Sequence, residues 1–329
     1  MRSTRHIIVA FSLVVVSLAV PLVVAQDAAW RTLSDWAKMP EGRIWGSTST
    51  LDVDRGGNLW VFERCGDNAC DASALAPVIQ FDPAGKFVRA FGANLFVFPH
   101  SIHVDRDGNI WVADASGKDG KGHVVVKFNR EGKVLLTLGK PGVAGETTDT
   151  FNRPSAVITA PNGDIYVSDG HGGDSNARVV KFAKDGKFIK TWGTKGTGPG
   201  EFGQLHGIAL DSMGRVFVAD RSNNRIQIFD ADGKYITEWK QFGRPSGIYI
   251  DASDTLYVVD HGSNAKNNPG MRRGIRVGSA KDGVVKSHIP GVGPESDKEN
   301  MGEGVAADGK GAIYAAEVAR KSVTKYVRQ

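Results

Sequence analysis

The sequence predicts an all-β fold, a six-bladed β-propeller, and three observations carry that reading. A hydrophobic-x-Asp-x-x-Gly-x-hydrophobic-aromatic-Val segment recurs six times, clearest as Val104-Asp105 through Gly108-Asn109-Ile110-Trp111-Val112. Its anchors, Asp54, Asp105, Ala160, Asp211, Asp251 and Asp308, are spaced by 51, 55, 51, 40 and 57 residues, a repeat length that suits a four-stranded blade. Within each repeat, short hydrophobic-aromatic runs are broken by Asp/Asn-Gly turns, the signature of successive hairpins. No stretch has helical periodicity, which excludes a helical solenoid. A single blade cannot bury both its faces, so the repeats must close into a ring.

The chain opens with Arg2, Arg5 and His6, followed by an apolar run from Ile7 to Val24 and a small-residue cleavage signature at Val23-Val24-Ala25. Residues 1–25 are therefore expected to be a signal peptide, with Gln26 as the mature start and a secreted or periplasmic destination. The run is nearly long enough for an uncleaved anchor, but Pro21 just before the cleavage signature favours removal. Residues 26–329 are expected to be the propeller, a monomer with no further membrane segment. Loss of the leader leaves 39 basic against 36 acidic residues, a balance that does not suggest a nucleic-acid partner.

Residues 26 to 45 and the C-terminal Val323 to Val327 are expected to share a blade and so complete the ring. Blade one ends near Arg64 and leads into Cys65-Gly-Asp-Asn-Ala-Cys70, which holds both cysteines of the chain. In an exported protein this pair reads as a small loop disulfide; with no second Cys or His pair nearby, it is poor evidence for zinc. Blade four shows the repeat in full, with strands from Gly207 to Asp211, Arg215 to Asp220, Arg225 to Phe229 and Lys234 to Trp239. Blade two repeats that order through Val124 to Phe128 and Glu131-Gly132. In blade five the stretch from Asn264 to Gly278 reads as long, polar and irregular.

Counting five residues back from each anchor gives Ser49, His100, Ser155, His206, Ser246 and Glu303. Serine stands in blades one, three and five, and His, His and Glu in blades two, four and six. On a closed ring those three side chains converge on the axis from alternate blades, and two imidazoles with a carboxylate form a metal-ligand set. A lone polar residue at this register would mean only a solvated channel. Ten residues past the anchors a second ring follows: Arg64, Ala115, Gly170 beside His171, Arg221, His261 and Val318. Asp114, Asp169, Asp220 and Asp260 also recur at one register and read as turn and inter-blade hydrogen-bond acceptors.

The Gly-x-hydrophobic-Tyr/Trp-Val-x-Asp…Arg-hydrophobic-x-x-Phe-x-x-Asp-Gly-Lys pattern resembles the NHL-type propeller repeat. Phe98-Pro99-His100-Ser101-Ile102, Tyr166-Val167-Ser168-Asp169-Gly170 and Ala219-Asp220-Arg221-Ser222-Asn223-Asn224-Arg225 resemble the peptidyl-α-hydroxyglycine α-amidating lyases. That resemblance implies cleavage of a carbinolamide C–N bond to a peptide amide and glyoxylate, with a central zinc. It implies His100 and His206 as two zinc ligands, and Arg64 and Arg221 as the arginines that bind substrate or stabilise charge. Two positions depart: Glu303 stands for the third zinc histidine and His171 for the catalytic tyrosine. Glutamate is a competent ligand for zinc and, with two histidines, for iron; histidine can act as a base near neutral pH. The family's structural calcium uses an aspartate where Gly304 stands, which leaves calcium open.

The expected function is thus a metal-dependent lyase acting on a small-molecule or peptide substrate. The catalytic residues would be Arg64, His171 and Arg221, and the metal ligands His100, His206 and Glu303, with zinc first and iron second. Two other classes stay open: a non-catalytic propeller binding a protein or carbohydrate, and a metal-dependent hydrolase of the lactonase kind.

Overall fold

The structure is a computed structural model that describes residues 30–291 and 302–329; the expected signal peptide and Gln26 lie outside the described residues. Six antiparallel four-stranded sheets are present, as the repeat predicts. In blade one the strands run Thr48–Val53, Leu59–Glu63, Val78–Phe81 and Phe87–Phe91, from the inner strand outward. In blade four they run Leu205–Leu210, Val216–Asp220, Arg225–Phe229 and Tyr235–Trp239. Blade six combines Gly302–Ala307, Ile313–Glu317 and Ser322–Arg328 with Trp30–Leu33, which pairs antiparallel to the C-terminal strand from Trp30 opposite Arg328. The two ends of the described chain therefore close the ring in one sheet, as expected. Among the described residues there is no α-helix, only a 3-10 turn at Arg221–Asn223.

Both faces of each second strand are apolar because both pack on a neighbour. Along Leu59–Glu63, Leu59 and Val61 meet Ala306, Tyr314 and Ala316 of blade six, whereas Trp60 and Phe62 meet Phe96, Ile110 and Val112 of blade two. This is the period-2 alternation of a strand with no solvent side. Burial of one such aromatic contributes roughly 2–3 kcal/mol. The anchor aspartates explain why the same turn recurs. Asp105 accepts from the backbone N–H of Asp107 (3.0 Å) and Asn109 (2.8 Å) and from the Trp111 indole (3.0 Å). One carboxylate thus shapes the turn and fixes the aromatic that follows it. Asp54 does the same for Gly56, Asn58 and Trp60.

The first-to-second-strand turns are tight, and the insertions that lengthen some repeats collect at the opposite end of the blades. There lie the disulfide loop after Glu63, the extended hairpin Ile110–Lys118/Lys121–Phe128, and the segments around residues 139–153 and 193–204. Blade five corrects one expectation. The stretch expected to be irregular through Gly278 is a loop only to residue 273, and Gly274–Ser279 is a strand paired with Thr255–Asp260. Arg276, which made that stretch look polar, is buried with its Nη1 on Asp260 Oδ2 at 3.0 Å. Asp114, Asp169, Asp220 and Asp260 each accept hydrogen bonds from the loop that enters their own blade or from a neighbouring turn, such as Val97 N and Phe98 N on Asp114.

In blades five and six the inner strands approach so closely that only glycine fits. A Cβ on Gly304 would lie 2.7 Å from Ser49 O and Thr50 Cα, and one on Gly247 2.8 Å from Glu303 O. Gly304→Ala is expected to cost about 1–3 kcal/mol of unfolding free energy, read from denaturant midpoints, because the obstacle is backbone that cannot rotate away.

Candidate metal centre

Every inner strand breaks register at the residue that faces the axis. Pairing with the second strand shifts between Thr48 and Thr50, Pro99 and Ser101, Pro154 and Ala156, Leu205 and Ile208, Pro245 and Ile248, and Gly302 and Gly304. The residues skipped at these bulges include Ser49, His100, Ser155, His206, Ser246 and Glu303. A bulge frees one residue from the ladder and re-aims its side chain. Here six bulges at one level turn six side chains toward the centre. The serines are held by other partners: Ser49 Oγ donates to Pro99 O of the next blade at 3.1 Å, and Ser155 Oγ bonds Ser168 Oγ of its own blade at 2.9 Å.

His100, His206 and Glu303 meet on the axis, and His171 joins them from the loop after Asp169. One ligand atom from each of the four lies within 4.8 Å of those of the others. His100 packs 4.2 Å from His171 and 4.7 Å from His206, ring centre to ring centre. His171 is held by its backbone N–H, which donates to Arg153 O at 2.9 Å, and Gly172 and Gly173 beside it take left-handed φ values of 71° and 64°. The sequence offered His171 as a residue near the centre; only the fold makes it a fourth donor of the cluster.

The donor set suits a metal ion. His100 Nδ1–H donates to Ser155 O at 2.6 Å, a bond that turns the lone pair of Nε2 inward. That Nε2, like the Nε2 of His171, is buried with no hydrogen-bond partner. Each needs a partner to satisfy it: a metal ion suits His100 Nε2, and His171 Nε2 can take an ion or a proton. Burial lowers the His100 imidazole to about 4, helped by Arg64 and opposed by Glu303. Burial also carries His171 and His206 well below the usual range, with Arg221 adding to both. For Glu303, burial alone would raise the carboxyl. The His206 hydrogen bond, the His206 and His261 imidazoles once protonated in acid, and the Arg64 guanidinium outweigh it and hold Glu303 well below the usual range. At neutral pH the cluster is three neutral imidazoles and one carboxylate, the states in which these groups bind metal.

Two guanidiniums cap it. Arg221 Nη1 lies 3.3 Å from Glu303 Oε1, which also accepts from His206 Nε2–H at 2.9 Å. Arg64 Nη2 stands 3.8 Å from Glu303 Oε2, and the Arg64 guanidinium stacks 3.8 Å above the Phe98 ring. Arg64 is only 3% exposed, so a loop end that sequence could not distinguish from a solvated surface is part of the interior. Phe98 and Gln204 were not singled out for the centre, and His261 was noted only as a member of the second ring. Gln204 Oε1 accepts from Arg221 Nε at 3.4 Å, and His261 Nδ1–H donates to Gly302 O at 3.0 Å. Phe98 and Gln204 carry no sequence signal beyond nearness to a ring position, whereas His261 occupies one, ten residues past Asp251. Below the centre, a cavity of about 470 Å³ follows the inner strands toward the opposite face. The Cys65–Cys70 disulfide is present beside Arg64.

The NHL repeat model matches residues 202–229, and a family model described as a 6-bladed beta-propeller matches residues 146–214. Human NHL repeat-containing protein 3 is 32% identical over 302 residues, covering 89% of this chain and 82% of the human protein. A probable peptidyl-α-hydroxyglycine α-amidating lyase of Caenorhabditis elegans is 36% identical over 206 residues, 56% of each chain. Among solved structures, a gluconolactonase from Xanthomonas campestris superimposes with a TM-score of 0.62 at 14% identity, covering 91% of this chain and 90% of its own, a likeness of fold alone.

Because burial keeps the His100 imidazole neutral down to about 4, protons compete for it only in acid. A bound divalent metal should survive dialysis as pH falls through the ordinary imidazole range near 6.5 and be released toward pH 4, followed by elemental analysis. His100→Ala or His206→Ala should lose the metal already at neutral pH.

Proposed function

The chain belongs to the NHL-repeat β-propeller family, and on that premise we propose that it is a metal-dependent lyase of the amidating-lyase kind. In this reading it cleaves the C–N bond of an α-hydroxyglycine substrate, a carbinolamide, into an amide and glyoxylate. The observation that carries the reading is the buried cluster of three neutral imidazoles and one carboxylate beneath two guanidiniums. His100, His206 and Glu303 would hold the ion, zinc in the first instance. When bound, the ion supplies Lewis-acid polarisation of the substrate's oxygens.

The remaining work falls to the chain's own groups. Arg64 and Arg221 receive the substrate carboxylate through charge-assisted hydrogen bonds from the N–H groups that their own supports leave free. His171, neutral through burial, accepts the hydroxyl proton at Nε2. As the C–O bond becomes a carbonyl, the C–N bond breaks and its electron pair goes to nitrogen. The proton held on His171 then passes to the departing amide. No water is consumed, which separates this reaction from lactone hydrolysis on the same fold. Hydrogen bonding and burial keep both guanidiniums in place, so the anion site is formed before substrate arrives.

We also propose that the protein acts outside the cytoplasm after cleavage before Gln26, a reading supported by the basic-apolar leader and by the disulfide. N-terminal sequencing of exported material should begin at Gln26; a start at Met1 would sink that part.

The main assay follows glyoxylate release from an α-hydroxyglycine peptide with zinc, iron or manganese supplied in turn. His171→Ala should keep its metal and lose about 10²–10⁴-fold in kcat. Glu303→His should keep both metal and turnover, because imidazole and carboxylate ligate zinc at similar distances. A metal-loaded protein with no glyoxylate release from any such peptide would reject the substrate. A protein that binds no metal would instead be a binding propeller.

A further inference from the structure

Arg64 has three supports, and one of them, Asn68, lies in the disulfide loop. Its Nε–H donates to Pro99 O at 3.0 Å, and its guanidinium lies 3.8 Å over the Phe98 ring. Its Nη1–H donates to Asn68 Oδ1 at 2.8 Å. Asn68 lies inside the six-residue ring closed by Cys65 and Cys70. The loop turns sharply after Arg64, since Cys65 takes a left-handed φ of 55°. It is pinned to the next blade by Cys70 N–H, which donates to Val97 O at 2.8 Å, directly before Phe98. Asp67 N–H donates back to Arg64 O at 3.0 Å. With Nε and Nη1 engaged, only the Nη2 amino group faces the cluster, at 3.8 Å from Glu303 Oε2.

We propose that Asn68, held by the Cys65–Cys70 loop, is a positioning residue that orients the Arg64 guanidinium so that its Nη2 edge receives the carboxylate of the ligand. Arginine has four side-chain rotors and is costly to order, so its orientation depends on anchors that are themselves fixed. Asn68 is exposed and on a loop, where a side chain is normally mobile. The short covalent ring removes that freedom at the residue that needs it. Asn68 touches neither the donor cluster nor the ligand's place, so it acts only through Arg64. The inference rests on the proposed role of Arg64 as an anion-binding group.

The test measures glyoxylate binding by calorimetry on the metal-loaded full protein, with metal content and melting temperature recorded for each variant. Asn68→Leu should weaken glyoxylate about tenfold, the loss expected for one hydrogen bond to a charged group, with metal content unchanged. Asn68→Asp, which keeps the acceptor, should restore binding. Cys65→Ser/Cys70→Ser should weaken it in the same direction. In an Arg64→Ala background, Asn68→Leu should add nothing, because its effect passes through the missing guanidinium. An equal loss in both backgrounds, or no loss in the wild-type background, would overturn the positioning role while leaving the site reading intact. If Arg64→Ala itself binds glyoxylate as tightly as wild type, the anion role of Arg64 fails and this inference with it.

Discussion

No blade of this protein can hide its own surface. Its middle strands are apolar on both faces, so Trp60 and Phe62 need blade two as much as Leu59 and Val61 need blade six. An open row of such sheets would leave two apolar end faces in water, and closing the row removes both. Closure falls to Trp30–Leu33, which completes the sheet formed by the C-terminal strand. Everything at the centre depends on it, because only a closed ring points six inner strands at one axis.

At that axis the demands of packing and chemistry meet. Six bulges take one residue per blade out of its ladder, so the ring can offer side chains inward without giving up strand pairing above and below. Burying histidines there keeps them neutral and ready to donate electron pairs. Burying Glu303 there would be unfavourable alone, and His206, Arg221 and Arg64 offset that cost. A single carboxylate thus belongs to the ligand set and, at the same time, neutralises the cap above it. The close backbone approach at Gly247 and Gly304 seats the strand that carries it.

The long connections gather at the end of the blades where the centre lies, and the short Asp-anchored turns at the other. That asymmetry is how a repetitive scaffold acquires a distinct site: the blades stay alike, and the insertions bring His171, Arg64 and their supports over the axis. The disulfide loop belongs to this set, since it ends beside Arg64 and is tied to the strand entry that carries Phe98 and His100.

The sequence alone determined the six blades, because turn chemistry and hydrophobic alternation are local properties repeated at a regular period. It also determined which residues face the axis, because a constant register in every blade maps each anchor onto the same height. His100, His206 and Glu303 were legible for that reason, and so was the proximity of Arg64 and Arg221. What it could not reach depends on tertiary contacts, some within a blade and some between blades. His171 sits in a glycine-rich segment that reads as a mobile loop until Arg153 O from its own blade's entry holds it. Gly274–Ser279 reads as irregular until Asp260 takes up the charge of Arg276. The burial of Arg64, the inward lone pair of His100 set by Ser155 O, and the bulges themselves have no signature in any single repeat. The Arg64 and His100 contacts are decided by what the neighbouring blade presents, and only the closed ring fixes which neighbour that is.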